Sequence, residues 1–306
     1  MCNWSTEKLK FDNKQIIRDK VLSGLTGGEF EFPTAKPYFK NDKRLRAPYI
    51  IFEHTDDEIK SLQILKNNPD YIVDLTKTTY GFALRDYQKE ALDNYKNNRF
   101  NIIIGSRQVG VNIILAIQAL HYAITNSEKS IVIFSYNTDS AQAILERAKD
   151  LYRQLPYYSK PGIKRFNMKV IEFDNGSRIF ARPLTKDSAI GFTIDYVIVD
   201  RFANISEKIA LQFMQTLAPI TFAMANSKMT IASTPGNSHF TKMVFDTKNV
   251  YHKQWIYYHQ VPGRDAQWVK DETSAIGGEL AFMQEYELVF PETKEWNRRI
   301  NINKLI

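Results

Sequence analysis

From Leu84 onward the apolar positions fall into short unbroken runs separated by longer stretches with helical spacing. Leu84 to Asn98 reads as a helix; "FNIII" is a short apolar run that closes on Gly105, and "NIILAIQALHYAI" returns to helical spacing. "SIVIFSY" is a second buried run, followed by an amphipathic helix from about Asp139 to Gln154. "KVIEFDNGSRIFAR" alternates on both sides of Asn175-Gly176, which predicts a hairpin with a type I′ turn. "DYVIVD" and "KMTIAST" are two further runs, with a helix between them near Ser206 to Leu217, and "QWIYYH" fits a strand with one buried face. Runs this short and apolar, alternating with helices, predict an α/β fold: a mostly parallel central sheet flanked by helices. The first 80 residues are polar and punctuated by prolines ("FPTAKPYF"), with one helix expected at about Asp56 to Lys66.

Ligands of such sheets bind at the carboxyl ends of the strands. Three runs end in candidate chemistry: Gly105, Asp200 and Ser233-Thr234. "GSRQVG" places Gly105 and Gly110 at the spacing of a phosphate-binding loop, whose glycines let backbone N–H groups and a helix N-terminus face an anion. Two further positions carry the chemistry of such a loop, a lysine for the β/γ-phosphates and a serine or threonine for Mg²⁺; here they are Val111 and Asn112. Asn112 can lend its amide oxygen to a metal or cap the helix it opens. After Asp200 the next residue is Arg201, and a guanidinium cannot take a proton from an attacking water.

Composition adds limits. The 306 residues are 43% hydrophobic and 25% charged, as in an ordinary folded protein, and the formal charge of +7 favours a polyanionic partner. One cysteine, Cys2, leaves no intramolecular disulfide or cysteine cluster and suggests a reducing compartment. No apolar stretch suits a signal peptide or a bilayer span, so a soluble cytoplasmic protein is expected. The five histidines are scattered, which reads as surface or core imidazoles rather than a metal site.

The segments "TKTTYGFALRDYQKEAL", "IIIGSRQVG", "LPYYSKPGI", "IEFDNGS", "YVIVDRFANI", "TIASTPGN" and "HQVPGRDAQWVKDET" span most of Lys77 to Thr273, and in this order they carry a family resemblance. The chain resembles the ATPase half of the large terminase subunit of tailed bacteriophages, of the contractile-tailed type. The resemblance implies a P-loop NTPase fold with a small lid-like subdomain. It divides the chain into a core at 81–250, an N-terminal extension at 1–80, and a C-terminal part at 251–306 that packs with that extension and leads into a linker. It implies Gln88 as adenine reader with Tyr87 as a stacking neighbour, and a phosphate loop of Gly105, Ser106, Arg107, Gln108, Val109, Gly110, Val111 and Asn112. Arg107 becomes a cis arginine sensing the γ-phosphate, Asp200 the Mg²⁺ ligand, and Ser233, Thr234, Pro235 and Gly236 a motif coupling hydrolysis to DNA grip.

By the same resemblance the cofactors are ATP and Mg²⁺, the partners double-stranded DNA, the phage portal and the small terminase subunit, with a possible homo-oligomeric ring and no membrane. The compartment becomes the cytoplasm of the infected host. The family's Lys, Ser/Thr and Glu stand here as Val111, Asn112 and Arg201, so nucleotide binding is expected to be weakened and hydrolysis impaired. The sequence stops near the expected interdomain linker, without the acid cluster of the family's nuclease domain. The alternative is a non-catalytic protein that uses the fold for DNA binding or phage assembly; a helicase-type ATPase gives no reason for "QVPGRD" and "STPGN". Arg201 either neutralises Asp200 or takes over the absent lysine's place. The basic stretches Lys40 to Arg46 and Ser159 to Arg165 are candidates for DNA phosphates.

Overall fold

The computed structural model describes residues 39–49, 54–80, 83–191, 193–291 and 293–303. Cys2 and most of "FPTAKPYF" lie outside them. In chain order the helices and strands are α1 (Asp56–Asn67), α2 (Tyr71–Tyr80), α3 (Asp86–Asn97), β1 (Phe100–Gly105), α4 (Val111–Thr125), β2 (Ser130–Ser135) and α5 (Thr138–Gln154). They continue with β3 (Ile163–Asn167), β4 (Val170–Phe173), β5 (Arg178–Pro183), β6 (Tyr196–Asp200), α6 (Glu207–Phe222), β7 (Lys228–Ser233), α7 (Ser238–Phe245) and β8 (His252–Ile256). The chain then folds as α8 (Ala266–Ala275), α9 (Glu279–Glu285) and α10 (Lys294–Asn303).

The eight strands form one sheet in the order β3-β4-β5-β2-β6-β7-β1-β8. Every pairing is parallel except β3 with β4 and β4 with β5. Side-chain alternation divides each strand between two cores. Ile103, Ile131, Ile133 and Ile198 face a core shared with α1 to α5, whereas Ile102, Ile104, Val132, Phe134, Val197 and Val199 face one shared with α6, α7, Leu288 and Phe290. Helix α4 is buried throughout Ile114 to Thr125, which explains why its sequence is apolar all round. Its His121 is a core imidazole: Nε2 meets the Leu65 carbonyl at 2.9 Å, and burial lowers its pKa to about 4.

The expected helices and strands appear close to where the apolar pattern put them, although the strand read in "QWIYYH" ends at Ile256 and β3, α7, α8, α9 and α10 were not read from the sequence; further differences concern a turn and two helices. At Asn175-Gly176 the turn is not type I′, because Gly176 has φ 83° but Asn175 is absent from the residues with positive φ. The Gly176 N–H reaches the Phe173 carbonyl and the Phe173 N–H reaches Ser177 O, giving a three-residue connection with glycine in the left-handed position. Helix α6 runs on through Pro219 to Phe222 instead of stopping near Leu217. Helix α2 has a β-branched, threonine-rich sequence that hides it; burial of Ile72, Val73 and Thr76 overrides that local preference.

The N-terminal stretch 46–49 and the C-terminal residues from 258 onward reach different parts of the sheet, while α1, α2, Leu288 and Phe290 belong to the two cores. The Ile163 N–H donates to Arg46 O and Tyr49 N–H to the Asp174 carboxylate, so the N-terminal stretch lies at the β3–β4 edge. The C-terminal residues lie beside β1 and β8, where the Ser106 Oγ donates to Tyr286 O. Among the described residues no helix is long and apolar enough to cross a membrane.

Candidate functional site

At the end of β1 the chain turns through Ser106 to Gly110 and enters α4, with Gln108 at φ 59° and Gly110 at φ 84°. The positive φ favours glycine at 110, and a Cβ there would stand 2.5 Å from Gln88 Nε2 and push that amide aside. Gly110 itself is the N-cap of α4 and no side chain caps the helix. Asn112 therefore lies inside the first turn and is not the cap, contrary to one of its two expected roles. The backbone N–H groups of Ser106 and Arg107 are held by Ile256 O and Glu285 O, each at 2.9 Å. Those of Gln108, Val109 and Gly110 meet no acceptor among the described residues, leaving a short row of donors at a helix N-terminus.

This loop borders a cavity of about 570 Å³ whose wall runs from Gly105 to Ile113 and includes Asp200, Arg201, Ser233 and Thr234. The structure thus gathers the three strand ends singled out in the sequence. Strand β7 lies between β1 and β6 in the sheet, so its Ser233-Thr234 end separates the loop from the acid. Arg147, Asn204 and Glu285 also line the cavity. Sequence reading missed all three, and no local spacing marks them, since α5, the turn after β6 and α9 meet here only through the fold.

Asp200 is buried, and Ser135 Oγ donates to its carboxylate at 3.2 Å. Arg201 Nε stands 3.8 Å from the same carboxylate, with its side chain 51% exposed and its guanidinium 5.4 Å from the Tyr136 ring centre. Burial outweighs both neighbours and pushes the Asp200 pKa up to about 6. Arg201 therefore falls short of neutralising Asp200: a half-solvated cation at this distance is screened too well.

Arg107 is engaged by the C-terminal residues. Its Nε meets Glu285 Oε2 at 2.9 Å, a hydrogen bond that raises the arginine pKa. Arg264, from "QVPGRD", donates from both terminal nitrogens to the carbonyls of Arg107 and Gln108, each at 3.1 Å, with its guanidinium 4.7 Å from the Trp268 ring centre. Such a planar fork suits two adjacent carbonyls.

Tyr87 is buried, and its hydroxyl donates to Val109 O at 3.0 Å. It meets the loop through that hydroxyl and offers no ring face for stacking. Gln88 accepts from the Arg85 N–H at 3.0 Å, closing the start of α3, and borders a second cavity of about 410 Å³ with Arg85, Gly110, Ile113, Arg147 and Asp150.

At the other strand end, Ser233 Oγ accepts from Ala203 N–H at 3.0 Å, and Pro235 O accepts from Gln284 Nε2 at 2.9 Å. A Cβ on Gly236 would stand 2.6 Å from Ala203 O, so glycine lets the two turns touch. Asn237, also missed in the sequence, donates to Phe202 O and Ile205 O, both at 2.9 Å. This strand end ties the turn after Asp200 to α9, whose Glu285 in turn holds Arg107.

Half of the basic stretches proves structural. Arg46 is buried with Nη1 on Lys160 O at 2.8 Å, and Lys160 is buried with Nζ on Arg44 O at 2.8 Å, its pKa lowered to about 8 by desolvation. Arg44 pairs with Asp42 at 2.9 Å. Lys40, Lys43, Arg44, Lys164 and Arg165 are exposed.

A glycine loop closing one strand onto a helix N-terminus, with an acid ending a strand two places away, defines a P-loop NTPase fold. The family model "Terminase large subunit, T4likevirus-type, N-terminal" matches residues 102–273, and the chain belongs to that family. Its fold is similar to a mutant of the large terminase ATPase domain of Thermus phage P74-26 (TM-score 0.58, 16% identity, 71% of this chain and 97% of that one). It is also similar to the HK97 bacteriophage large terminase (0.51, 15%, covering 78% and 52%) and to a large terminase from a thermophilic bacteriophage in complex with ADP (0.51, 13%, 67% and 53%). The chain thus spans about half the length of the latter two.

Proposed function

We propose that this chain is the ATPase domain of a terminase-type DNA-packaging motor in a form that holds a nucleoside triphosphate weakly and does not hydrolyse it. One observation carries the reading: Val111, Asn112 and Arg201 stand in the wall of the same cavity as Asp200, at the places where phosphate, metal and water would be handled. The backbone cradle suits a polyphosphate, because the unengaged N–H groups of Gln108 to Gly110 and the start of α4 need no lysine. Val111 removes one charge-assisted contact, about 1.5–3 kcal/mol or one to two decades of affinity. Mg²⁺ needs only one or two carboxylates when phosphates supply other ligands, so Asp200 suffices as its anchor, with the Asn112 amide within the same wall. A bound cation would favour the ionised carboxylate that burial disfavours. No carboxylate follows Asp200 to orient or deprotonate water.

In this reading Ser233, Thr234, Pro235 and Gly236 relay the state of the Asp200 turn to α9. Double-stranded DNA, a portal and a small subunit are the partners, a ring is the assembly, and the host cytoplasm is the setting. The pairing of Arg107 with Glu285 favours a second reading, a non-catalytic assembly or DNA-binding role, because that arginine is already taken. Equilibrium binding of ATP and ADP, with turnover measured in the presence of double-stranded DNA, tests the proposal. Saturable nucleotide binding without turnover is expected; sustained hydrolysis contradicts impairment, and no nucleotide binding favours the second reading.

A further inference from the structure

We infer that Arg147, on α5, is the cation that meets the phosphate chain in place of the missing loop lysine; this rests on the nucleotide reading above. Three arginines line the main cavity: Arg107, Arg147 and Arg201. Two of them face acids, Arg107 at Glu285 and Arg201 at Asp200. Arg147 is exposed and makes no ion pair among the described residues. The acids nearest it on α5 are occupied, Glu146 by Lys149 and Arg153 and Asp150 by Arg153. Among the described residues the cavity wall therefore holds three guanidinium groups against two carboxylates, Asp200 and Glu285. The excess is positive, and Arg147 is its source.

Position adds a second argument. Arg147, Gly110 and Ile113 are the residues shared by the main cavity and the smaller one beside Gln88. Arg147 thus stands where the two compartments join, next to the loop whose Gln108, Val109 and Gly110 N–H groups meet no acceptor among the described residues. A nucleoside polyphosphate laid across both would pass it with its phosphates in the larger space and its nucleoside toward Gln88. Arginine suits that junction because its planar fork takes two phosphate oxygens at once. It comes from α5 rather than from α4, so no phosphate-loop pattern would reveal it.

Calorimetric binding of ATP, tripolyphosphate and adenosine to the full chain tests this, comparing the native protein, Arg147→Gln and the double variant Arg147→Gln/Val111→Lys. Arg147→Gln should weaken ATP and tripolyphosphate by about tenfold or more while leaving adenosine within about twofold. The added lysine should recover most of that loss, which it could not do if Arg147 merely supported the fold. Unchanged ATP affinity in Arg147→Gln, an equal loss for adenosine, or no recovery in the double variant overturns the inference while the nucleotide reading stands. Failure of the native protein to bind ATP or tripolyphosphate removes both.

Discussion

The ends of β1 and β6 have treated their inheritance in opposite ways. After β1 the backbone shape of a phosphate loop is intact, with Gly110 at φ 84° against Gln88, while the side chains that would act there have become Val111 and Asn112. After β6 it is the buried acid Asp200 that sits uncomfortably, with burial lifting its pKa to about 6. The loop's substitutions create no conflict: Val111 packs against the main core and Asn112 is half-buried. A buried acid with one distant, half-exposed cation is a cost the fold bears at neutral pH, and such costs concentrate at ligand sites. The difference teaches that the two halves of the site are under different demands, shape at one and charge at the other.

The largest effect should come from challenging the shape. Gly110→Ala forces a Cβ into a left-handed residue against the Gln88 amide, and denaturant unfolding should show a loss of about 2–4 kcal/mol. A change within about 0.5 kcal/mol would mean that the loop relaxes freely. The next effect challenges the charge. The folded pKa of Asp200, about 6, lies above its ordinary value of 3.8. The folded state therefore binds the proton more tightly, so this group's penalty is absent below pH 4, grows between 4 and 6 and is complete above 6. Asp200→Asn should stabilise the ligand-free protein by about 3 kcal/mol at pH 8, and the gain should vanish at pH 4. A stabilisation independent of pH would assign the effect to something other than ionisation.

Smaller is the expected response to Glu285→Gln. Arg107 is half exposed, so losing this pair should change stability by less than about 1 kcal/mol. The same variant should tighten ATP binding, because it releases Arg107 toward the cavity; weaker binding would show that Glu285 holds the arginine in its useful position. Arg201→Ala should have the least effect on folding, within about 0.5 kcal/mol, since its contact to Asp200 is long and screened.

The layered sheet was legible in the sequence because its strands are unbroken apolar runs and its helices keep their periodicity. The positions of Gly105, Asp200 and Ser233 were legible because each ends such a run, and that of Gly110 by its spacing from Gly105. Helix α2 was hidden by β-branched residues that only tertiary burial makes helical. The contacts of Glu285 and Arg264 were hidden for a different reason: they act on a loop more than 150 residues away, and an ordinary charge in a helix or turn carries no mark of what it will meet. Within the basic runs the buried roles of Arg46 and Lys160 were not legible, because a lysine or an arginine satisfies carbonyls inside the fold as readily as phosphates outside it.

The measurement that bears most directly on the central claim is ATP turnover by the native chain and by Val111→Lys/Asn112→Thr/Arg201→Glu, each with and without double-stranded DNA. The account predicts no turnover by the native chain and DNA-stimulated hydrolysis by the triple variant, because the cradle, Asp200 and the tie from β7 to α9 are already in place. A folded triple variant that neither binds nor hydrolyses ATP would contradict it, and would show that the site has lost more than three side chains.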